Sequence, residues 1–163
     1  MIKLRSSVDI RAPIERCFDI ARSVDVHKDT STLIRGRAIA GKRTGLSDLG
    51  DETTWSARFF GLRFKIRTRV TRMVKSQYFC ERRVSGLIER FEHDYHFTEN
   101  EGSTRMEDVF SISLPLGLLG QGLLQLVLRP KLERVQMHRL QAIQQICEGD
   151  KWRQYLERKT PAE

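Results

Sequence analysis

Residues 91–114 read FEHDYHFTENEGSTRMEDVFSISL and predict two long antiparallel strands joined by a short turn. Apolar and polar residues alternate on both sides of the turn, as they do in a strand with one buried face. The turn itself is indicated by Asn100-Glu101-Gly102, which is typical of a β-hairpin. The face predicted to point inward carries Phe91, His93, Tyr95 and Phe97 before the turn, and Thr104, Met106, Asp108, Phe110, Ile112 and Leu114 after it.

Two further strands are predicted on the N-terminal side of this hairpin. In the first, Trp55, Ala57 and Phe59 alternate with polar residues, and Gly61 predicts a break after it. The second has one apolar face and one strongly basic face. Its apolar face carries Phe64, Ile66, Thr68 and Val70, and its basic face, called the basic ridge below, carries Arg63, Lys65, Arg67 and Arg69.

Helices are predicted near both ends of the chain. A first strand, Ile2–Ile10, is followed by a short helix that Pro13 suits at its first turn and by a second, 23–30, that Ser23 caps. A long helix, 131–148, closes the chain, and Gly149 is its stop signal. Its apolar stripe predicts that it lies across the sheet, and the stripe comprises Leu132, Val135, Leu140, Ile143 and Cys147.

No charged residue occurs from Val109 to Leu128. The helical part of this segment, 116–128, is too short to cross a hydrocarbon core of about 30 Å. We therefore interpret it as a buried helix or as a lid over a cavity. The glycines at 117, 120 and 122 do not indicate a phosphate loop, because no Lys followed by Ser or Thr comes after them.

The composition is that of a globular domain with a basic surface. The 163 residues are 39% hydrophobic and 31% charged, with a formal net charge of +8, which argues against a disordered chain. The positive residues are scattered, so a solvated surface competes with weak binding to nucleic acid or an anionic membrane as the explanation. The N-terminus shows no signal peptide, and we expect a cytoplasmic protein. We expect one domain over residues 1–149 and a polar tail over residues 150–163.

The order of these elements resembles the helix-grip fold of the START-like superfamily, also called SRPBCC. The segments that match are 8–13 (VDIRAP) with Glu15 and Phe18, 91–97 (FEHDYHF), 102–108 (GSTRMED) and 114–117 (LPLG). The sequence is most similar to the polyketide cyclase/dehydrase-like and coenzyme Q-binding-like branch.

The resemblance implies an α+β fold. In it, an antiparallel sheet of about six or seven strands wraps around a long C-terminal helix, and two short helices follow the first strand. It also implies that a lipid, polyketide, quinone or similar apolar molecule binds in a cavity between the sheet and that helix.

The inward faces of the strands predict which residues would line such a cavity, although plain core packing would give the same pattern. The ligand-contact candidates are Trp55, Phe59, Phe64, Phe91, His93, Tyr95, Met106, Asp108 and Phe110. If the hairpin closes around Asn100-Glu101, His93 and Asp108 lie opposite each other; a register two residues away would keep both on one face. The two side chains could satisfy each other, contact a ligand or, with Tyr95, carry acid–base catalysis.

We expect neither a metal site nor a cofactor. His93 and His96 are three residues apart in a strand and therefore point to opposite faces. His27 and His138 are isolated in sequence and are predicted to lie on the surface. The three cysteines are far apart in sequence, which argues against a disulfide framework, and Cys17 is expected to be a buried, inert thiol.

Three functional hypotheses follow from these patterns. The first is a protein that binds a small apolar molecule, and the second is a cyclase- or dehydratase-type enzyme that uses the same cavity. The third is an interaction module whose basic ridge binds a polyanion, as ribosome-associated members of the superfamily imply.

Overall fold

The computed structural model describes residues 1–59, 61–86, 88–113, 122 and 124–157. Seven strands form one antiparallel sheet in the order β1-β7-β6-β5-β4-β3-β2. The strands are β1 (Ile2–Ile10), β2 (Arg37–Gly41), β3 (Glu52–Phe59), β4 (Leu62–Val74), β5 (Tyr78–Gly86), β6 (Arg90–Asn100) and β7 (Ser103–Ser113). The predicted antiparallel sheet is confirmed.

The helices also follow the predicted order. Two short helices come directly after β1, and a long helix, preceded by a π-helical turn at Leu124–Leu128, lies near the C-terminus. The helices are α1 (Ile14–Ala21), α2 (Val24–Thr30), α3 (Arg129–Glu148) and α4 (Arg153–Leu156), with a single 3₁₀ turn at Thr32–Ile34. Pro130 lies in the first turn of α3, where a missing backbone N–H leaves no hydrogen bond unmade.

The hairpin between β6 and β7 sets the register of the inward-facing residues. Its last pair is Asn100 and Ser103, and the two residues between them have positive φ angles, 38° at Glu101 and 80° at Gly102. These are the backbone conformations of a two-residue hairpin turn, which Gly adopts without steric cost. His93 is consequently paired with Phe110, and Asp108 with Tyr95. The expectation that His93 and Asp108 are directly opposite is therefore wrong by two residues, because the turn is centred one residue later than expected.

The long helix α3 packs against the inner side of the sheet and against α1 and α2. Leu140, Ile143 and Cys147 are fully buried in the main core, as the apolar stripe predicts. Leu132 is partly buried against a second, smaller cluster of Ile2, Leu4 and Ile112. The helix ends at Gly149 as predicted, but with φ −93°, so no left-handed residue is needed there.

Several predicted features lie wholly or partly outside the described residues. These are the break near Phe60 and most of the predicted lid, of which the structure describes only Gly122 and Leu124–Leu128. In the C-terminal tail, Trp152, Tyr155 and Leu156 pack against the main core. None of the helices in the described part of the chain is both long and apolar enough to span a membrane.

The packing of α3 predicts a large cost for truncating Leu140, which is 0% exposed. We expect Leu140→Ala to lower the free energy of unfolding by roughly 2–5 kcal/mol, because it removes buried methyl groups and leaves a cavity. Met137→Ala on the same helix is the control, since Met137 is 42% exposed and should change stability by less than about 0.5 kcal/mol. Urea denaturation of both variants measures the difference, and equal effects would contradict the observed helix orientation.

Candidate ligand-binding site

A chain of hydrogen bonds links β6, β7 and α3 inside the protein. His93 Nε2 lies 2.7 Å from Asp108 Oδ1, and His93 Nδ1 lies 2.9 Å from the Tyr95 hydroxyl. Arg139 donates to the same hydroxyl and, more weakly, to the carbonyl oxygen of Ala21 at 3.4 Å. His93 and Asp108 thus meet diagonally across the hairpin, although they are not a directly opposed pair.

The donors and acceptors along this chain have one consistent direction. A guanidinium only donates, so the Tyr95 oxygen accepts from Arg139 and the Tyr95 O–H is free to donate to His93 Nδ1. The hydrogen-bond pattern then assigns the ring proton of His93 to Nε2, which donates to Asp108. Both ring nitrogens of His93 are therefore engaged by the protein itself.

Asp108 is held from the other side by Gln136 on α3. The Gln136 Nε2 donates to Asp108 Oδ1 at 2.7 Å and to its backbone oxygen at 3.0 Å. The Ser6 hydroxyl donates to Gln136 Oε1 at 3.1 Å. Sequence reasoning missed both Gln136 and Arg139, although their positions four and seven residues after Leu132 place them on the buried stripe of the helix.

Electrostatics keeps Asp108 charged and Tyr95 neutral at pH 7. Burial acts to raise the pKa of Asp108, but His93, Arg139 and the Gln136 hydrogen bond outweigh it, so the pKa lies below its ordinary value. Burial raises the pKa of Tyr95 well above 10, which keeps it a phenol. The buried Asp108 carboxylate and the buried Arg139 guanidinium therefore offset each other's charge, as buried charges require.

His27 is half-buried, so its predicted surface location is wrong. It was expected on the surface, but its ring stacks on Trp55 with centroids 4.1 Å apart. Trp55 in turn donates from Nε1 to the Thr68 hydroxyl at 3.2 Å. Burial, followed by the nearby charges of Arg139 and His93, lowers the pKa of His27 well below 6.5, so its imidazole is neutral at pH 7. The fold brings α2 over β3, a contact that no local sequence pattern encodes.

The concave face of the sheet has a closely packed end and an incompletely covered end. In β6, Tyr95 and Phe97 are buried against Phe18, whereas Phe91 is only half-buried. Phe91 meets Phe110 edge to face with centroids 5.2 Å apart, and Phe110 lies 5.3 Å from the His93 ring. The other half-buried apolar residues on this side are Phe64, Ile66, Ile88, Leu128 and Leu132. The hydrogen-bonded series Arg139, Tyr95, His93, Asp108 and Gln136, called the polar chain below, lies at the boundary between the two ends.

The structure places the predicted ligand-contact residues unequally. Phe64, Phe91 and Phe110 lie on the incompletely covered end, and His93 borders it. Tyr95 and Met106 are fully enclosed in the packed core. Trp55 and Asp108 are buried behind His27 and Gln136, and Phe59 belongs to β3, but its side chain is outside the described part of the structure. Their roles toward a ligand stay a prediction.

Two charged residues on β5 also belong to the concave face, and sequence reasoning missed them. Glu81 is paired with Val70 on one side and with His93 on the other, and Arg83 is paired with Thr68. Directly opposed residues in an antiparallel pair share a face, so Glu81 and Arg83 face inward. The pairing of β4 with β5 shifts register twice, which explains why β5 shows poor alternation in the sequence.

The basic ridge lies on the opposite, outer face of the sheet and is exposed. Glu52 on β3 forms ion pairs with both Arg67 and Arg69. In the described part of the chain, Arg63 and Lys65 have no carboxylate partner. Glu52 thus offsets one of the four positive charges of the ridge, which weakens its attraction for a polyanion.

The remaining observations concern possible metal ligands and the three cysteines. Among the described residues, no group of three or more His, Cys, Asp or Glu side chains could hold a metal ion. Cys17 is buried, as are Cys80 and Cys147, and all three are free thiols.

Comparison with known proteins gives a likeness of fold and not of sequence. No protein-family model matches the chain, and no curated protein matches it. A protein of Thermus thermophilus shares 16% identity and a TM-score of 0.72, covering 88% of this chain and 95% of that protein. A START superfamily protein of Mycobacterium smegmatis shares 13% identity and a TM-score of 0.63, covering 90% and 97%. The Zhui aromatase/cyclase of a Streptomyces species shares 10% identity and a TM-score of 0.68, covering 98% and 99%. The chain has the helix-grip, START-like fold.

The environment of His27 predicts a pH dependence of stability. Because its pKa is lower in the folded protein than the ordinary 6.5, the unfolded chain takes up a proton more readily. This contribution to stability is complete above about pH 6.5 and is lost as the pH falls toward the folded-state pKa, with a slope of at most about 1.4 kcal/mol per pH unit. We expect His27→Gln to flatten the decline in unfolding free energy between about pH 7 and about pH 5.

The matched control for this measurement is His138→Gln, because His138 is exposed on α3. Urea denaturation across the pH range should give the same slope for this variant as for the unmodified protein. Identical slopes for all three proteins would show that His27 is not buried as described.

Proposed function

We propose that this helix-grip protein binds a small, largely apolar molecule between the concave face of its sheet and α3. The observation that carries the proposal is the incompletely covered end of that face, where Phe64, Phe91, Phe110 and Leu132 are only half-buried although they point inward. Covering apolar surface is favourable by about 25 cal/mol per Å². A ligand that filled this end would complete the burial that the described side chains leave unfinished.

The polar chain supports binding by providing a rigid end wall. Its members are buried, hydrogen-bonded and charge-balanced, and Phe91 and Phe110 pack against the His93 ring. A wall held in this way gives a ligand a fixed shape to meet, which lowers the cost of ordering the site on binding. The START superfamily protein and the aromatase/cyclase of similar fold add support for a ligand-binding role.

A cyclase- or dehydratase-type enzyme in the same cavity is the second candidate, and the contact between His93 and Asp108 favours it. A carboxylate that orients an imidazole is a common arrangement for moving a proton. Both ring nitrogens of His93 are already hydrogen-bonded. His93 would therefore have to give up its hydrogen bond with Tyr95 before it could bind a substrate atom. Mass spectrometry of a ligand recovered after incubation distinguishes the candidates, since a binding protein returns it unchanged and an enzyme does not.

The binding proposal predicts saturable uptake of a naphthalene-type fluorescent dye. We expect Phe91→Glu to weaken this uptake by at least about tenfold, because it leaves an unpaired carboxylate in the apolar wall. Thr98→Glu is the matched control, since Thr98 lies on the exposed end of the same strand. Dye titration, with circular dichroism to confirm folding, measures the effect. The proposal fails if the unmodified protein shows no saturable binding.

A further inference from the structure

We propose that Glu81 selects the ligand, and that the ligand is a neutral apolar molecule carrying a hydroxyl group, either a phenol or an alcohol. The hydroxyl donates to the Glu81 carboxylate at the incompletely covered end of the concave face. This inference rests on the ligand-binding function proposed above and adds the chemical class of the ligand.

Glu81 is placed at the site by strand pairing. It lies directly between Val70 of β4 and His93 of β6, both of which are buried on the concave face. Its charge also acts on Tyr95 and Arg139 inside the protein. Glu81 is therefore beside His93, at the boundary where the half-buried apolar wall begins.

The carboxylate of Glu81 forms no hydrogen bond or ion pair with any described residue. In contrast, Glu92 on the adjacent strand β6 and Glu52 on β3 are each bound by two arginines. Arg83, two residues along the same face, donates to the Gly86 carbonyl oxygen at 3.2 Å instead. Glu81 is half-buried, and the proposed hydrogen bond requires its carboxylate to be within reach of a molecule bound at the incompletely covered end.

The donors of the interior, in contrast, are already used or enclosed. Gln136 donates to Asp108, Trp55 to Thr68, Tyr95 to His93, and Arg139 to Tyr95. Arg139 Nε has no hydrogen-bond partner among the described residues, but it is fully buried. At the incompletely covered end, the Glu81 carboxylate is an acceptor to which no described residue donates.

The acceptor oxygens of Glu81, to which no described residue donates, indicate the chemistry of the ligand. A hydroxyl group supplies the missing donor and forms a charge-assisted hydrogen bond with Glu81, which is stronger than a neutral one. A ligand carboxylate would supply no donor and would bring a second negative charge beside Glu81, which is unfavourable at low dielectric. An ether would supply no donor either, while keeping the apolar contacts.

Three naphthalene probes of nearly equal size test the inference: 2-naphthol, 2-methoxynaphthalene and 2-naphthoate. We expect the unmodified protein to bind 2-naphthol roughly tenfold or more tightly than 2-methoxynaphthalene, and 2-naphthoate most weakly. Titrations followed by probe fluorescence or calorimetry give the three dissociation constants.

Glu81→Gln tests whether this residue causes the preference, because it removes the charge and keeps the shape. We expect 2-naphthol to lose most of its advantage over 2-methoxynaphthalene and 2-naphthoate to bind more tightly than it does to the unmodified protein. Glu107→Gln is the matched control, because Glu107 on β7 pairs with Arg5 on the outer side of the sheet. It should leave the order of the three probes unchanged.

The outcomes separate this inference from the proposed function. Equal binding of all three probes, or an unchanged order in Glu81→Gln, overturns the inference and leaves the binding function standing. Tighter binding of 2-naphthoate than of 2-naphthol by the unmodified protein overturns it as well and would make Arg83 or Arg139 the recognition group. Binding of none of the probes overturns both.

Discussion

The packing of α3 against the concave face of the sheet constrains the rest of the interior. Leu140, Ile143 and Cys147 are buried against the sheet. Helical periodicity places Gln136 and Arg139 on the same buried side of α3. An amide and a guanidinium cannot be buried there without partners, because each would lose its hydrogen bonds to water. The inward polar residues of the hairpin supply those partners, so the helix and the sheet specify each other.

The resulting polar chain divides the concave face into two ends with different properties. On one side aromatic and aliphatic residues are packed to completion around Tyr95 and Phe79, whose rings stack with centroids 4.3 Å apart. On the other side Phe64, Phe91, Phe110 and Leu132 are only half-buried, beside a small buried cluster of Ile2, Leu4 and Ile112. Stability comes chiefly from the first end, since full burial of apolar side chains is the largest favourable contribution to folding.

Charge is distributed unevenly between the two faces of the sheet. The net charge of +8 is carried by exposed residues such as those of the basic ridge, where Glu52 already binds two of the arginines. Inside, Asp108 and Arg139 balance each other, and Glu81 is a carboxylate without a described partner. Exposed charges contribute little because water screens them, whereas a charge in the interior strongly affects which molecule can bind beside it.

Side-chain periodicity, which is a local property of the backbone, was enough to predict the strands, the hairpin, the long helix and the face on which His93, Phe91 and Phe110 lie. It also located Asp108 on the same face, but not the diagonal contact with His93, which depends on which two residues form the turn. The hydrogen bond from Arg139 to Tyr95, the stacking of His27 on Trp55 and the pairing of Glu81 with His93 could be read only from the folded structure. Those contacts join elements that are distant along the chain, and periodicity states which face a residue occupies but not what lies opposite that face.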